Sequence, residues 1–209
     1  MSVFKDHKIS LKQVLEFVPE ALLSHLSATT KVDYYSKVLH GKKMFYLLLF
    51  CIFDNEKLSQ RTLEDTFNSS GFKALFGLGE EEKVRRSSIS ERLSKIDSHY
   101  FKEIYEQMYG RFSELYSKSE IEKYNLIRVD STIVADTCNK LKEGIDQKSG
   151  KKLVKFSFSF DGILPSGVEV FTAQKYSSEE SALPQAILKH TLKEIGHDNI
   201  YIIDRGLQS

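Results

Sequence analysis

Asn125-Leu-Ile-Arg-Val-Asp130-Ser-Thr-Ile-Val134 is where the chain changes character. Upstream, apolar residues recur at helical spacing; from Tyr124 onward they recur at period two and are β-branched, the mark of strands. Leu126 to Val134 is predicted as the first strand, with a carboxylate, Asp130, mid-to-late along it. Leu153 to Phe160 alternates over its second half and is predicted as another. Asp161-Gly162 and Pro165-Ser-Gly167 punctuate a turn, after which Val168 to Ala173 returns as the antiparallel neighbour. Glu180 to Ile195 carries Leu183, Ile187, Leu188, Leu192 and Ile195 on one side, with Gly196 as a C-cap, and is predicted as a helix. Ile200-Tyr-Ile-Ile203 is the last strand, with Asp204 at its tip. Strand, hairpin, helix, strand is the order of a mixed sheet with a crossover.

Before this point the chain reads as helical. Ser10 is placed to cap a segment carrying Leu11, Val14, Leu15 and Val18, which Pro19 ends or kinks. A longer helical stretch is expected from about Lys31, carrying Val32, Tyr35, Val38 and Leu39, breaking near Gly41 and resuming as a buried core helix from Met44 to Phe53. Ser59 to Phe67 is a weaker helix closed by Asn68-Ser-Ser-Gly71. Ser88-Ile-Ser-Glu91 has capping-box spacing and is expected to open a short helix to Ile96. Asp97 or Ser98 then caps a long helix with Phe101, Ile104, Tyr105, Met108, Phe112 and Leu115 on one stripe. Short helix, turn, long helix has the outline of a helix-turn-helix, although any helical domain contains such pairs.

Composition narrows the function classes. Among 209 residues, 30 Lys+Arg against 29 Asp+Glu leave a formal net charge of +1, so no overall field announces nucleic acid. Cys51 and Cys138 have no metal-ligand spacing, and the bland reading is free thiols in a reducing compartment. The N-terminus has no signal-peptide pattern, and the ten-residue apolar run is too short to span a bilayer, so no membrane partner is expected.

Two carboxylates at equivalent points of separate apolar strands are what a divalent metal site for phosphoryl transfer needs, because hard cations want oxygen ligands on rigid supports. A strand-end Asp also caps the turn after it, and on the residues alone both readings stand. Asp136, Asp161, Glu179 and Glu180 have sufficient explanations as loop, turn and helix-opening residues. In order and spacing, however, the chain resembles the DDE transposases of insertion-sequence family four, which have an RNase H-like catalytic core. The elements that carry the resemblance are Val129-Asp130-Ser131-Thr132, the Asp161-Gly162 hairpin followed by Pro165, Leu183-Pro184 in the following helix, and Ile203-Asp204-Arg205-Gly206.

The resemblance covers essentially the whole chain. It implies an α+β protein with a helical, DNA-binding domain over 1–120 and a truncated RNase H-like core over 121–209, made of the first four strands and one crossover helix. It further implies metal-dependent cutting and joining of DNA at insertion-sequence ends. Asp130 and Asp204 would be the first two members of an acidic triad and ligands of a pair of Mg2+ or Mn2+ ions, with a homodimer formed on the DNA. The third acid, a Glu on a later helix within a Tyr/Arg/Glu/Lys signature, has no counterpart. The chain is therefore expected to correspond to roughly the N-terminal half of a full-length member, and to be incomplete as an enzyme. The alternative is a non-catalytic DNA-binding or inhibitory transposase fragment. The expected location is the cytoplasm of a prokaryote, at the nucleoid.

DNA contacts are expected at local basic patches. Between Asn139 and Lys155 stand six lysines, Lys140, Lys142, Lys148, Lys151, Lys152 and Lys155, against Glu143 and Asp146. They could hold phosphates in a salt-sensitive, sequence-blind way, or form a solvated hairpin. Arg205 is placed beside Asp204 to contact a phosphate, and Lys83, Arg85 and Arg86 form a second patch.

Overall fold

The computed structural model describes residues 15–54, 58–115, 125–135, 143–162, 164–193 and 198–203. The fold is mixed α+β and divides into two compact units, Met1–Met108 and Tyr109–Ser209. The expected cap at Ser10 lies outside the described residues.

In the first unit Pro19 does break the chain, but it also launches a helix, α1 (Glu20–Thr30), whose first turn bonds back to the Pro19 carbonyl. Proline suits this position because its φ is already helical and its missing N–H is one a helix start leaves free. Lys31, at φ 52°, ends α1 in the left-handed region. Residues 31–40 are therefore turns, not the helix that the spacing of Val32, Tyr35, Val38 and Leu39 predicts. Helix resumes at Gly41 as α2 (Gly41–Asp54), which buries Met44, Leu47 and Cys51, as expected for a core helix.

The helix α3 (Gln60–Phe67) starts in a reciprocal cap: Ser59 Oγ accepts from Thr62 N at 3.1 Å, and Thr62 Oγ1 accepts from Ser59 N at 2.9 Å. Asn68-Ser-Ser-Gly does not close into a loop. Ser69 Oγ accepts from Phe72 N and opens α4 (Ser70–Phe76), which ends at Gly77 in the left-handed conformation. The next helix, α5 (Arg86–Lys95), begins two residues before the expected box, so Ser88 lies inside it. Asp97 then caps α6 (Ser98–Leu115), its Oδ1 accepting from His99 N at 2.9 Å. One continuous core joins these helices, with Leu23, Leu47, Phe67, Phe72, Ile89 and Tyr100 at its centre.

In the second unit a five-stranded sheet is built from β1 (Leu126–Ala135), β2 (Ile145–Asp146), β3 (Lys152–Asp161), β4 (Leu164–Phe171) and β5 (Ile200–Ile203). The two-residue β2 is an addition to the four strands expected. β3 lies antiparallel to β1 on one side and to β2 and β4 on the other, while β5 runs parallel to β1. The crossover from β4 to β5 is α7 (Glu179–Lys193). Gly162, at φ 61°, makes the β3–β4 turn, as expected, but Pro165-Ser-Gly167 is not part of it. These residues belong to β4, where Ser159 faces Gly167 and Phe160 faces Pro165, leaving Ser166 as a bulge. A proline survives in a strand at such an irregularity, where its missing N–H costs no ladder bond.

Period-two alternation sends the two sides of β3 to different environments. Lys155, Ser157 and Ser159 are buried on the side α7 covers, and Phe156, Phe158 and Phe160 form a half-buried ladder on the other. The apolar contacts beneath α7 are two small clusters, Ile127, Val129 and Leu183 in one and Phe171, Ala182 and Ala186 in the other.

Candidate functional site

The sheet positions the first candidate carboxylate. Along β1, Ile127 and Val129 turn inward and are buried, whereas Arg128 and Asp130 turn to the opposite face and are exposed. Asp130 stands across from Phe158, and its Oδ1 accepts the Ser131 N–H at 2.8 Å. The nearest cation along its strand, Arg128, is committed elsewhere: its guanidinium donates to the Gly162 carbonyl at the β3–β4 turn.

The second carboxylate, Asp204, lies outside the described residues, as do Arg205 and Gly206. What is described is the strand that leads to it. β5 pairs in parallel register with β1 from Leu126↔Ile200 to Val129↔Ile203, so Asp130 and Asp204 are the residues that directly follow the last bonded pair. Among the described residues no group of three or more His, Cys, Asp and Glu side chains is placed to hold a metal ion. Asp136, Lys140 and Lys142 also fall outside the described residues.

β5 is held against α7 by a polar chain. The His190 ring, buried, accepts or donates through Nε2 to Ser166 Oγ at 2.9 Å and through Nδ1 to Tyr201 Oη at 3.0 Å. Gly167 packs closely beside it, and a Cβ there would stand 3.0 Å from His190 Cδ2. The bulge that turns Ser166 under α7 thus ties β4 to β5 through one imidazole.

Of the lysines expected on the hairpin, Lys148 and Lys151 are exposed at the β2–β3 turn, which closes through Gln147 N to Lys151 O and Gly150 N to Gln147 O, both at 2.9 Å. Lys152 is half-buried at the start of β3. Lys155 is no DNA contact. It is 1% exposed, donates to the Ser177 carbonyl at 2.9 Å and pairs with Glu179 at 3.1 Å, because the strand period turns it under α7.

In the helical unit Arg85 and Arg86 are exposed at the N-terminus of α5, flanking a groove of about 450 Å³ with Gln60, Glu64, Ser87 and Ser90. Asn68 fixes the approach to that helix by bonding both the N–H and the carbonyl of Val84, at 3.1 and 3.0 Å. On another flank of α5 opens a larger cavity, about 710 Å³, whose wall is the 31–39 turn segment. Its aromatic and basic residues, Lys31, Tyr34, Tyr35 and Lys37, were hidden in the sequence by a helix-like spacing. The readable signal was the Tyr-Tyr pair between two lysines.

Arg92 of α5 holds that wall in place. It donates to Leu39 O at 2.9 Å and to Val32 O at 2.7 Å, with Asp33 at 3.7 Å. Burial pulls the Arg92 guanidinium below its ordinary value, and Asp33 acts against that shift. Asp33 also accepts the Gly41 N–H at 2.5 Å, fixing the start of α2.

Comparison with protein-family models and with curated proteins gives no match to this chain. Among the described residues no helix is long and apolar enough to cross a membrane.

Proposed function

We propose that this chain is part of a DDE-type transposase of insertion-sequence family four, contributing two carboxylates of a metal site from its sheet and DNA contacts from its helical unit and hairpin. The observation that carries the reading is the parallel β1–β5 register ending at Val129↔Ile203. Parallel neighbours lie about 4.8 Å apart and point paired side chains to the same face. A further bonded pair would set Asp130 and Asp204 side by side on the face away from α7. Asp130 suits a hard cation in kind: it is an exposed oxygen donor on a rigid strand, with the neighbouring arginine turned away.

Asp130 and Asp204 would hold Mg2+ or Mn2+, and such ions activate an attacking water or 3′-hydroxyl and stabilise the leaving oxygen in an in-line displacement at phosphorus. Arg205, Lys148, Lys151 and Lys152 would hold the DNA backbone near these carboxylates, and Arg85 and Arg86 would contact it from the helical unit. The third acid of the triad would come from a Glu on a helix that this sequence does not include.

Titration calorimetry with Mn2+ and a nicking assay on insertion-sequence end DNA test the reading together. Mn2+ binding that drops at least tenfold in Asp130→Ala and in Asp204→Ala is expected, with no strand cleavage by the 209-residue chain and cleavage once the chain is extended by a segment carrying the Glu. Mn2+ binding indifferent to both substitutions would sink the metal site. The alternative, a DNA-binding or inhibitory fragment, is favoured if end DNA is bound through Arg85 and Arg86 while Asp130→Ala changes neither metal binding nor cleavage by the extended chain.

A further inference from the structure

The cavity between the 31–39 segment and α5 has features that phosphate contact alone does not require. Five cations, Lys31, Lys37, Lys83, Arg92 and Lys95, line it against two carboxylates, Glu91 and Asp97. Arg92 is spent on the segment itself, and Lys95 pairs with Glu91 at 2.5 Å. Among the described residues no ion pair engages Lys31, Lys37 or Lys83, and all three are exposed. Beside them stand two tyrosines that contribute almost nothing to the core. Tyr34 is 68% exposed and Tyr35 94%, with ring centroids 4.4 Å apart and planes at 76°.

Large aromatic faces left in water next to uncommitted cations are the composition of a single-strand nucleic-acid site: cations follow the backbone and rings stack on bases. The geometry here is also preformed. Arg92 anchors the segment from both ends of the turn, so the rings are presented on a fixed wall, and little ordering is left to be done on binding. Groove-edge recognition of a paired duplex does not use such rings, because paired bases keep their faces stacked within the helix.

We propose that this cavity takes an unpaired nucleotide of a DNA strand, its base stacked on the face of one ring of the edge-to-face Tyr34–Tyr35 pair and its flanking phosphates on Lys31, Lys37 and Lys83. The site rests on the DNA-binding part of the function proposed above, and it gives that function a substrate preference: DNA with a frayed, bulged or single-stranded nucleotide over fully paired duplex.

The test is fluorescence anisotropy with the full chain and three labelled probes: an oligothymidine, a fully paired duplex, and the same duplex with one unpaired thymidine. The variants are Tyr34→Ala/Tyr35→Ala and Lys31→Ala/Lys37→Ala/Lys83→Ala, all at exposed positions, with circular dichroism confirming their fold. The expected result is tighter binding of the two probes with unpaired bases. The tyrosine variant should lose roughly tenfold in affinity for those two alone, with an unchanged salt slope. The lysine variant should flatten the slope of log affinity against log salt by about 0.7 per lost single-strand contact. Unaltered affinity of the tyrosine variant for oligothymidine overturns the base site while leaving the duplex contacts of Arg85 and Arg86 in place. Failure of every probe to bind at low salt overturns the DNA reading with it.

Discussion

The two units solve the same problem, how to fill an interior, with opposite materials. The helical unit is packed with aromatic and aliphatic side chains: Phe72 touches Phe50, Phe67 and Phe76 at ring-centroid distances of 4.8 to 5.8 Å. Under α7 the sheet unit has only two small apolar clusters and buries Lys155, Ser157, Ser159 and His190 beside them, while its phenylalanine row lies on the face that also carries Asp130. The difference teaches where each unit's specificity lies. Apolar packing tolerates adjustment as long as volume is kept, whereas a buried polar seam is satisfied only in one arrangement.

The largest effect should come from the apolar side of this comparison. Phe72→Ala removes a fully buried ring and is expected to cost about 4 kcal/mol in denaturant unfolding. A cost under about 1 kcal/mol would mean that the helical core collapses around the loss, and that its aromatic cluster is not what holds the unit.

Next comes the seam. Lys155→Met should cost about 2 kcal/mol by removing the charged donor to Ser177 O and Glu179, less than for a fully buried pair because the Glu179 left behind is 39% exposed. Adding Glu179→Gln to that variant should recover most of the loss. If the double variant is no more stable than the single one, the seam acts through lysine packing rather than charge, and the contrast between the units shrinks.

The smallest expected effect sharpens the limits of tolerance on the apolar side. A Cβ at Gly41 would stand 2.7 Å from Val32 Cγ1 and 3.0 Å from Tyr100 Cε1, so Gly41→Ala sets overpacking against a better helix former. A net loss of about 1 kcal/mol in thermal unfolding is expected, and a gain would show that the 31–40 segment can move aside.

Much of this was legible because it is local. The switch of period at Tyr124, the crossover helix and the Asp97 cap all follow from neighbours within a few residues. What escaped depends on distant partners. Residues 31–40 have helix-like spacing, yet Arg92, 53 and 60 positions later, supplies donors to the Leu39 and Val32 carbonyls. Ser69 reads as closing one helix, although it opens the next, since a serine serves either end until the following apolar residues are packed. Pro165 reads as turn chemistry unless the bulge at Ser166 is known, and that bulge is set by His190 on another element. Asp130 reads as an exposed strand carboxylate, and the same alternation implies the burial of Lys155, against the DNA contact that its charge suggests.

The contact between buried Lys155 and partly exposed Glu179 also acts as a ruler for the sheet. If β3 slipped by one residue against β1, every side chain on it would change face. The phenylalanines would then have to enter the serine-lined space beside Gly167 and His190, where even a Cβ at Gly167 would stand 3.0 Å from the ring, so close packing already disfavours the shifted alignment. The slip would also carry the ammonium of Lys155 out from under the helix and away from the Glu179 carboxylate and the Ser177 carbonyl. Close packing and one ionic contact on the covered face together fix which residue of β3 stands across from Asp130 on the open one.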